Sequence, residues 1–198
     1  STFLQRSYDM LLHDIALMNL HVVLAVDRSG LVGSDGETHQ GIYDVGFLST
    51  VPNMKILCPA SFSELRDMLR HAVQTVDGPV AVRYPKSGEG RYKDRFFLNN
   101  GFSFARCLRE GKDITLVTYG YNVNTALEAA DILQERGISA EIIKLNYISP
   151  IDIDTVVASL EKTGRLLVLE ECVEPGCVGE RIAAYLAQNA LTVKSLRL

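Results

Sequence analysis

The chain has 198 residues, of which 47% are hydrophobic and 22% charged, and its formal net charge is −4 at pH 7. This composition is typical of a soluble globular protein with one large or two small domains. It argues against nucleic acid as a partner, because phosphate binding requires clustered Lys and Arg. No apolar run approaches the roughly 20 residues that a membrane span requires, and no signal peptide is recognisable.

The cysteines indicate the redox environment of the protein, and the chain ends indicate whether it is part of a longer one. Cys58, Cys107, Cys172 and Cys177 show no CxxC spacing, and the four histidines do not complete a zinc pattern. Reduced, mostly buried thiols in a cytoplasmic protein are therefore expected. The chain begins without Met inside a helical pattern and ends in a strand pattern with no closing helix, so we expect a piece of a longer protein.

Helices and strands alternate along the first half of the chain. Two helices are expected to start at capping boxes, formed by Thr2 with Gln5 and by Ser61 with Glu64. Helices that join successive strands make crossover connections, which predicts a parallel sheet. The predicted elements are helices at 3–18, 43–50 and 62–76 and strands at 21–26, 54–58 and 80–84.

A pattern break from Pro85 to about Gly101 predicts a linker, and the alternation then resumes. Glu170 and Glu171 end a strand, where capping and ion pairing are expected rather than ligand binding. The fold class is α/β, with two small doubly wound, mostly parallel-sheet domains at 1–87 and 101–198 and a linker at 88–100. In the second domain we predict strands at 114–120, 140–145, 165–171 and 192–196 and helices from 123 to a Gly137 cap, at 152–162 before Gly164, and at 179–189.

Polar residues collect where two strands of the first domain end. Ligands of open parallel sheets bind beyond the carboxyl ends of the strands, because those ends meet at one edge. Asp27 and Arg28 follow one strand and Arg83 closes another, so both guanidinium groups would project from that edge. Such a pair suits a phosphate or a carboxylate. The alternative at this point is that each arginine forms an ordinary surface ion pair.

The segment DGETHQG, residues 35–41, leaves the same edge. Its His39, close to Asp35, could act as an acid, a base or a hydrogen-bond donor near neutral pH, or could be a solvated loop histidine. The four glycines between residues 30 and 41 would allow positive φ angles or a close approach to a ligand. They form neither GxGxxG nor a P-loop, so they predict no phosphate cradle.

Four longer stretches carry a resemblance to a known family. They are STFLQRSYD at 1–9, VDRSGLVGSDGETHQGIYD at 26–44, VPNMKILCPAS at 51–61 and GPVAVRYPKS at 78–87. Together they resemble the 1-deoxy-D-xylulose-5-phosphate synthases, which belong to the transketolase-like, thiamine diphosphate-dependent family. The similarity covers the whole chain, as a partial pyrimidine-binding domain followed by a transketolase C-terminal domain. STFLQR combined with GxDGxTHQG is far more specific than either motif alone.

The resemblance implies an enzyme that condenses pyruvate with D-glyceraldehyde 3-phosphate, with loss of CO2, to 1-deoxy-D-xylulose 5-phosphate. That product is a precursor of isoprenoids, thiamine and pyridoxal. The resemblance further implies thiamine diphosphate and Mg²⁺ as cofactors and a homodimer. The glutamate that activates the cofactor, and the domain that binds its diphosphate through Mg²⁺, would lie outside this chain. No metal ligand is therefore assigned within it, and the isolated chain is expected to be inactive.

The resemblance also assigns roles to residues of this chain. Phe3 would stack on the aminopyrimidine ring of the cofactor, and Arg6 would lie beside the cofactor. Arg28 and Arg83 would hold the phosphate of the acceptor, in agreement with the expectation from the sheet edge.

Asp35 and His39 would face the reacting carbons, with His39 stabilising a developing oxyanion or relaying a proton.

Three alternative functions for the chain stay open. A transketolase would share a similar loop but use ketose phosphates as donors. The β subunit of a 2-oxo acid dehydrogenase would need no phosphate-binding arginines. A non-catalytic dimerisation module would need no complete active site.

Overall fold

The structure of the protein, a computed structural model, describes residues 1–93 and 103–197. It contains two mixed sheets of mostly parallel strands with helices between them, which confirms the predicted α/β class. The strands are β1 (Val23–Val26), β2 (Lys55–Leu57), β3 (Val80–Arg83), β4 (Ala105–Arg109), β5 (Ile114–Tyr119), β6 (Ala140–Leu145), β7 (Tyr147–Ser149), β8 (Arg165–Leu169) and β9 (Ser195–Arg197). The helices are α1 (Tyr8–Met10), α2 (Asp44–Ser49), α3 (Phe62–Gln74), α4 (Val123–Glu135), α5 (Ile153–Thr163) and α6 (Val178–Gln188).

The first sheet has the order β1-β3-β2-β7. β1 and β2 both run parallel to β3, as the crossover pattern predicts, and Val26 pairs with Arg83 at the carboxyl ends of β1 and β3. β7 pairs antiparallel with β2 although it comes from the second half of the chain. The two halves of the molecule therefore share a sheet, an arrangement that the sequence did not predict.

The second sheet has the order β4-β6-β5-β8-β9. β6, β5, β8 and β9 are parallel, and their helices α4, α5 and α6 lie close to their predicted positions. The sequence reading missed β4, which pairs antiparallel with β6 at the edge of the sheet.

The amino-terminal helical segment differs from the predicted α-helix at 3–18. It is a 3₁₀ turn (Thr2–Ser7), the single turn α1 and a π turn (Leu11–Ala16). The expected capping box is absent at this end, because the Thr2 hydroxyl donates to the carbonyl oxygen of Gln40 instead, at 3.0 Å. No helix in the described part of the chain is long and apolar enough to cross a membrane.

The predicted linker at 88–100 is packed rather than solvated where it is described; residues 94–100 lie outside the described part. Tyr92 is buried, and its hydroxyl donates to Glu64 at 2.8 Å. Its backbone N–H donates to the side chain of Asn124 at 2.9 Å. Glu64 lies on α3 and Asn124 on α4, so this part of the connection lies between the two halves and contacts both.

A buried ion pair also joins the halves. Lys144 Nζ of β6 lies 3.1 Å from Glu64 Oε2 of α3, and both side chains are 0% exposed. Glu64 also accepts a hydrogen bond from the backbone N–H of Ala60. Because the carboxylate has three partners, its charge is well compensated in the interior.

The expectation of free, mostly buried thiols holds in part, because all four cysteines are free but Cys107 is exposed.

Candidate active site

The loop that follows β1 begins at the predicted edge of the first sheet. Because Val26 and Arg83 are paired, the residues after β1 and β3 leave the sheet side by side. The pairing continues past the strands, where the N–H of Ser29 donates to the carbonyl oxygen of Tyr84 at 3.1 Å. Arg28 therefore lies at the carboxyl edge of a parallel sheet, where ligands of such sheets bind.

The loop is an internally bonded structure. Gly30 and Gly41 form an antiparallel bridge with N–O distances of 2.7 and 2.8 Å. The Gln40 side chain accepts from Val32 N at 2.7 Å and donates to the carbonyl oxygens of Val32 and Gly36, each at 3.1 Å. A short 3₁₀ turn, Glu37–His39, lies inside these bonds. Gln40, which the sequence did not single out as functional, thus holds the segment that carries Asp35 and His39.

Gly41 is required where the loop closes. A Cβ at this position would lie 2.1 Å from the carbonyl oxygen of Arg28, far inside contact distance. Arg28 itself has a φ of 53°, in the left-handed region that arginine rarely adopts. The backbone at Arg28 is therefore held in a sparsely populated conformation next to the candidate site, as often occurs at ligand sites.

Asp35 lies between two half-exposed cations. Arg28 Nη1 is 2.8 Å from one carboxylate oxygen and Lys86 Nζ is 3.0 Å from the other, and the two cations are 45% and 46% exposed. The hydrogen bond from Lys86 and the charge of Arg28 hold the pKa of Asp35 below its usual range, although desolvation opposes them. The two cations converge on one anionic group at the sheet edge. The sequence reading did not assign Lys86, although RYPK places a second cation three residues after Arg83.

Arg83 differs from the expectation that it projects beside Arg28. Its side chain is 6% exposed, and its Nε donates at 2.9 Å to Asp44, whose side chain is 0% exposed. Its Nη2 donates to the carbonyl oxygen of Gly41 at 3.0 Å. Burial alone would lower the pKa of Arg83, but Asp44 and Tyr119 raise it above its usual value. The structure thus places Arg83 in an internal ion pair beneath the loop, and Lys86 is the cation beside Arg28.

Three of the predicted site residues form one aromatic and cationic cluster. The rings of Phe3 and His39 meet edge to face with centroids 5.3 Å apart, and Arg6 Cζ lies 5.3 Å from the Phe3 centroid. Phe3 is 58% exposed, so its ring is accessible from solvent. The His39 Nδ1 lies 2.8 Å from the Thr38 hydroxyl, which orients the imidazole.

A pocket of about 620 Å³ lies against β1 and is lined by Phe3, Arg28 and His39, together with residues 1–4 and 23–27. Its apolar part comes from β1 and Phe3, and its polar part from Arg28 and His39. An apolar wall with a few convergent polar groups is typical of small-molecule sites. The exposed Phe3 ring has a cation, Arg6, and an imidazole, His39, as its neighbours.

Within residues 1–93 and 103–197, one group has a spacing suited to a metal ion: Cys107, Glu110 and Glu141. Lys162 Nζ lies 2.8 Å from Glu110 and also contacts Glu141, so an ammonium group already pairs with both carboxylates and compensates part of their charge. The group lies at β4 and β6 of the second sheet, and none of its members lines the pocket. It therefore does not fit a Mg²⁺ ion that would act beside a cofactor in the pocket.

Comparison with known proteins matches both halves of the chain. Residues 1–89 match the transketolase pyrimidine-binding domain and residues 104–198 the transketolase C-terminal domain. The chain is 45% identical over 193 residues to the 1-deoxy-D-xylulose-5-phosphate synthase of Desulforudis audaxviator, with 97% of this chain and 30% of the relative covered. It is 41% identical over 187 residues to the synthase of Chlorobaculum tepidum, covering 94% of this chain and 29% of the relative.

A solved structure described as "Split gene transketolase, inactive beta4 tetramer" superposes with a TM-score of 0.85 at 28% identity. The match covers 99% of this chain and 63% of the other. The fold is thus that of the corresponding part of a transketolase. The chain spans about 30% of the length of the curated relatives it matches.

Proposed function

The chain belongs to the transketolase family, and we propose that it contributes half of an active site that joins pyruvate to D-glyceraldehyde 3-phosphate, with loss of CO2. The product would be 1-deoxy-D-xylulose 5-phosphate. The observation that carries this proposal is the pair of half-exposed cations, Arg28 and Lys86, that meet at Asp35, with Arg28 also lining a pocket that contains Phe3 and His39. The relatives named as synthases, at 41% and 45% identity, favour this reaction over that of a transketolase.

Arg28 and Lys86 form the phosphate end of the proposed site. Their cationic nitrogens lie 2.8 and 3.0 Å from the two oxygens of Asp35, so a carboxylate now occupies the space between them. A phosphate dianion carries more charge and more acceptor oxygens than a carboxylate, and both cations can reach it by small side-chain movements. Arg83 acts indirectly in this proposal, since it holds Gly41 from below.

Phe3, Arg6 and His39 form the cofactor end. The Phe3 ring would stack on the aminopyrimidine of thiamine diphosphate, and Arg6 would lie beside it. Thiamine diphosphate, when bound, supplies the nucleophilic carbon to which pyruvate adds. With Nδ1 of His39 beside the Thr38 hydroxyl, Nε2 is the nitrogen available to donate to a substrate oxygen or to move a proton. Asp35, beside the phosphate, would limit how far the acceptor carbons can turn.

The diphosphate and its Mg²⁺ would be held by residues outside this chain, so we propose that the chain alone does not turn over. The likeness to a split-gene transketolase polypeptide described as inactive supports this. The same likeness favours a second candidate, in which the chain acts as a subunit completed by a separate polypeptide. In the first case we propose a cytoplasmic homodimer, and in the second a cytoplasmic assembly of two copies of each polypeptide.

The experiment compares Arg28→Ala, Lys86→Ala and the control Lys93→Ala in the complete polypeptide. Lys93 is also an exposed lysine in an ion pair, but its partner is Glu89 and not Asp35. Loss of a charge-assisted contact of about 1.5–3 kcal/mol should raise the KM for D-glyceraldehyde 3-phosphate roughly 10- to 150-fold. The KM for pyruvate should stay within about twofold of its starting value, since about 0.4 kcal/mol is within the effect of a distant surface change.

An equal rise in both KM values would contradict the phosphate assignment. Turnover of ketose phosphates in place of pyruvate would identify a transketolase instead. Turnover by the 198-residue chain alone would contradict the proposal that half of the site lies elsewhere.

A further inference from the structure

We propose that the second half of the molecule positions the candidate-site loop through Glu171, which makes Glu171 a positioning residue for the reaction proposed above. The inference rests on the proposed function only for its kinetic consequence. Its structural part concerns a contact between Glu171, just after β8, and the loop between Gly30 and Gly41.

The segment 171–173 contacts both sides of the base of the loop. Glu171 Oε2 accepts a hydrogen bond from the N–H of Leu31 at 2.9 Å. Two residues later, the N–H of Val173 donates to the carbonyl oxygen of Ile42 at 3.0 Å. Leu31 and Ile42 directly follow the bridged residues Gly30 and Gly41. A single short segment therefore bonds the loop where the chain enters it and where the chain leaves it.

Gly30 permits this contact. Its φ is +77°, and a Cβ at this position would lie 2.1 Å from Glu171 Oε2. The carboxylate thus occupies the space that any other side chain at position 30 would fill. Both the left-handed backbone and the missing Cβ serve the same approach of Glu171 to the loop.

The Arg83 side chain bonds both the loop, at Gly41, and the segment 171–173, at Glu171. Its Nη2 lies 3.0 Å from the carbonyl oxygen of Gly41 and 3.4 Å from that of Glu171. The buried guanidinium therefore bonds the loop and the segment at once, while Asp44 compensates its charge. This arrangement explains why an arginine at the end of β3 lies inside the molecule.

The consequence reaches the pocket through the backbone. Glu171 does not line the pocket against β1, and with Ser29 and Arg83 it lines a separate, smaller pocket. Arg28 lies two residues before Gly30, and Asp35 and His39 lie inside the bonded loop. If the N–H of Leu31 loses its acceptor, the loop that carries these side chains can shift relative to the second half of the molecule. A shift of about 1 Å in such groups is enough to reduce a rate by about 100-fold.

The test uses Glu171→Ala, Glu171→Gln and the matched control Glu174→Ala. Glu174 is an exposed acid on the same stretch, and no side-chain bond of Glu174 is seen in the described residues. Hydrogen exchange would be followed at the Leu31 amide and across 31–41, together with kcat and both KM values. In Glu171→Ala the Leu31 amide should exchange about tenfold faster, because a hydrogen bond to a charged group is lost.

In the same variant kcat should fall, and the KM for D-glyceraldehyde 3-phosphate should rise more than that for pyruvate. Glu171→Gln should recover most of the protection, because its amide oxygen can still accept from Leu31. Glu174→Ala should match the parent protein in every measurement. Should Glu171→Ala fail to fold, Gly30→Ala, which displaces the same carboxylate, should show the faster exchange.

Loop exchange in Glu171→Ala equal to that in Glu174→Ala would overturn the inference. So would faster exchange with unchanged kcat and KM, because the contact would then be structural only. A parent enzyme that does not use pyruvate and D-glyceraldehyde 3-phosphate would instead defeat the proposed function. The exchange result would still decide whether Glu171 holds the loop.

Discussion

Replacing Asp44 by Asn should destabilise the protein by about 3–5 kcal/mol, because it leaves the charge of Arg83 buried without a counterion. The Nε–Oδ2 distance is 2.9 Å, and the two side chains are 0% and 6% exposed, so water cannot take the place of the lost carboxylate. Asn can keep the bond from the N–H of Val45 to Oδ1, but its NH2 group then faces Arg83 Nε, so the variant removes the acceptor together with the charge. The free energy of unfolding would be measured by urea denaturation.

The pair of Asp35 with the half-exposed Arg28 provides the control, in which Asp35 is 10% exposed and also pairs with Lys86. Asp35→Asn removes the same charge from an ion pair of similar length, 2.8 Å, but Arg28 remains 45% exposed to water. Surface pairs of this kind contribute about 0–1 kcal/mol. The double variant Asp44→Asn with Arg83→Leu should be more stable than Asp44→Asn alone, since no unpaired charge remains buried.

Two results would refute this reasoning. One is a loss of less than about 1 kcal/mol in Asp44→Asn, which is the range of exposed pairs. The other is an Arg83→Leu variant that keeps its stability but raises the KM for D-glyceraldehyde 3-phosphate as Arg28→Ala does. Arg83 would then contact the acceptor, as the sequence resemblance implies, and the internal ion pair would have no structural importance.

The remaining predictions concern one helix and one titration. Asp152 caps α5 by accepting from Thr155 N at 3.1 Å, so Asp152→Ala should cost about 0.5–2 kcal/mol in urea denaturation, and Asp154→Ala in the first turn should cost less. The pKa of Asp35 should lie below that of an ordinary aspartate in a carboxyl NMR titration and should rise in Lys86→Ala, because Lys86 is its strongest partner. A lowered pKa means that the ion pairs contribute stability above the unfolded pKa of about 3.9, and that this contribution disappears as the pH falls through the folded value. An Asp35 pKa that does not respond to Lys86→Ala would contradict the described contact.

The helix α5, whose signals are all local, was predicted well from the sequence. The helix expected at 152–162 is Ile153–Thr163, with Asp152 as its cap and Gly164 at a φ of 70° after its end. The cap, the apolar spacing and the terminal glycine all lie within one short stretch, so the chain specifies them without tertiary contacts.

The strands β4 and β7 were not predicted. β4 has five residues and pairs antiparallel with β6, and β7 has three residues and pairs antiparallel with β2 from the first half of the chain. Strands this short show too few alternations to reveal a period, and their pairing is decided by packing.

The sheet edge that carries the candidate site could be predicted from the sequence, but the direction of each cationic side chain could not. Arg28 was placed correctly because the carboxyl edge of a parallel sheet follows from the alternation of helices and strands. Whether Arg83 faces solvent or the interior depends on Asp44, 39 residues earlier, which no local pattern connects to it. Lys86 was overlooked because it follows Pro85 in an irregular stretch, where spacing carries no directional information. Side-chain direction at the end of a strand is therefore a tertiary property.

The structure also changes what the glycines of DGETHQG and its flanks imply. Glycine-rich loops lose much conformational freedom on folding, so a loop left to itself would be expected to move. Here the Gly30–Gly41 bridge and the Gln40 amide hold it from inside, and Glu171 holds it from outside. A loop ordered before its ligand arrives avoids that ordering cost during binding. The same glycines that could give flexibility instead allow close backbone contacts, and those contacts fix the backbone that carries Asp35 and His39.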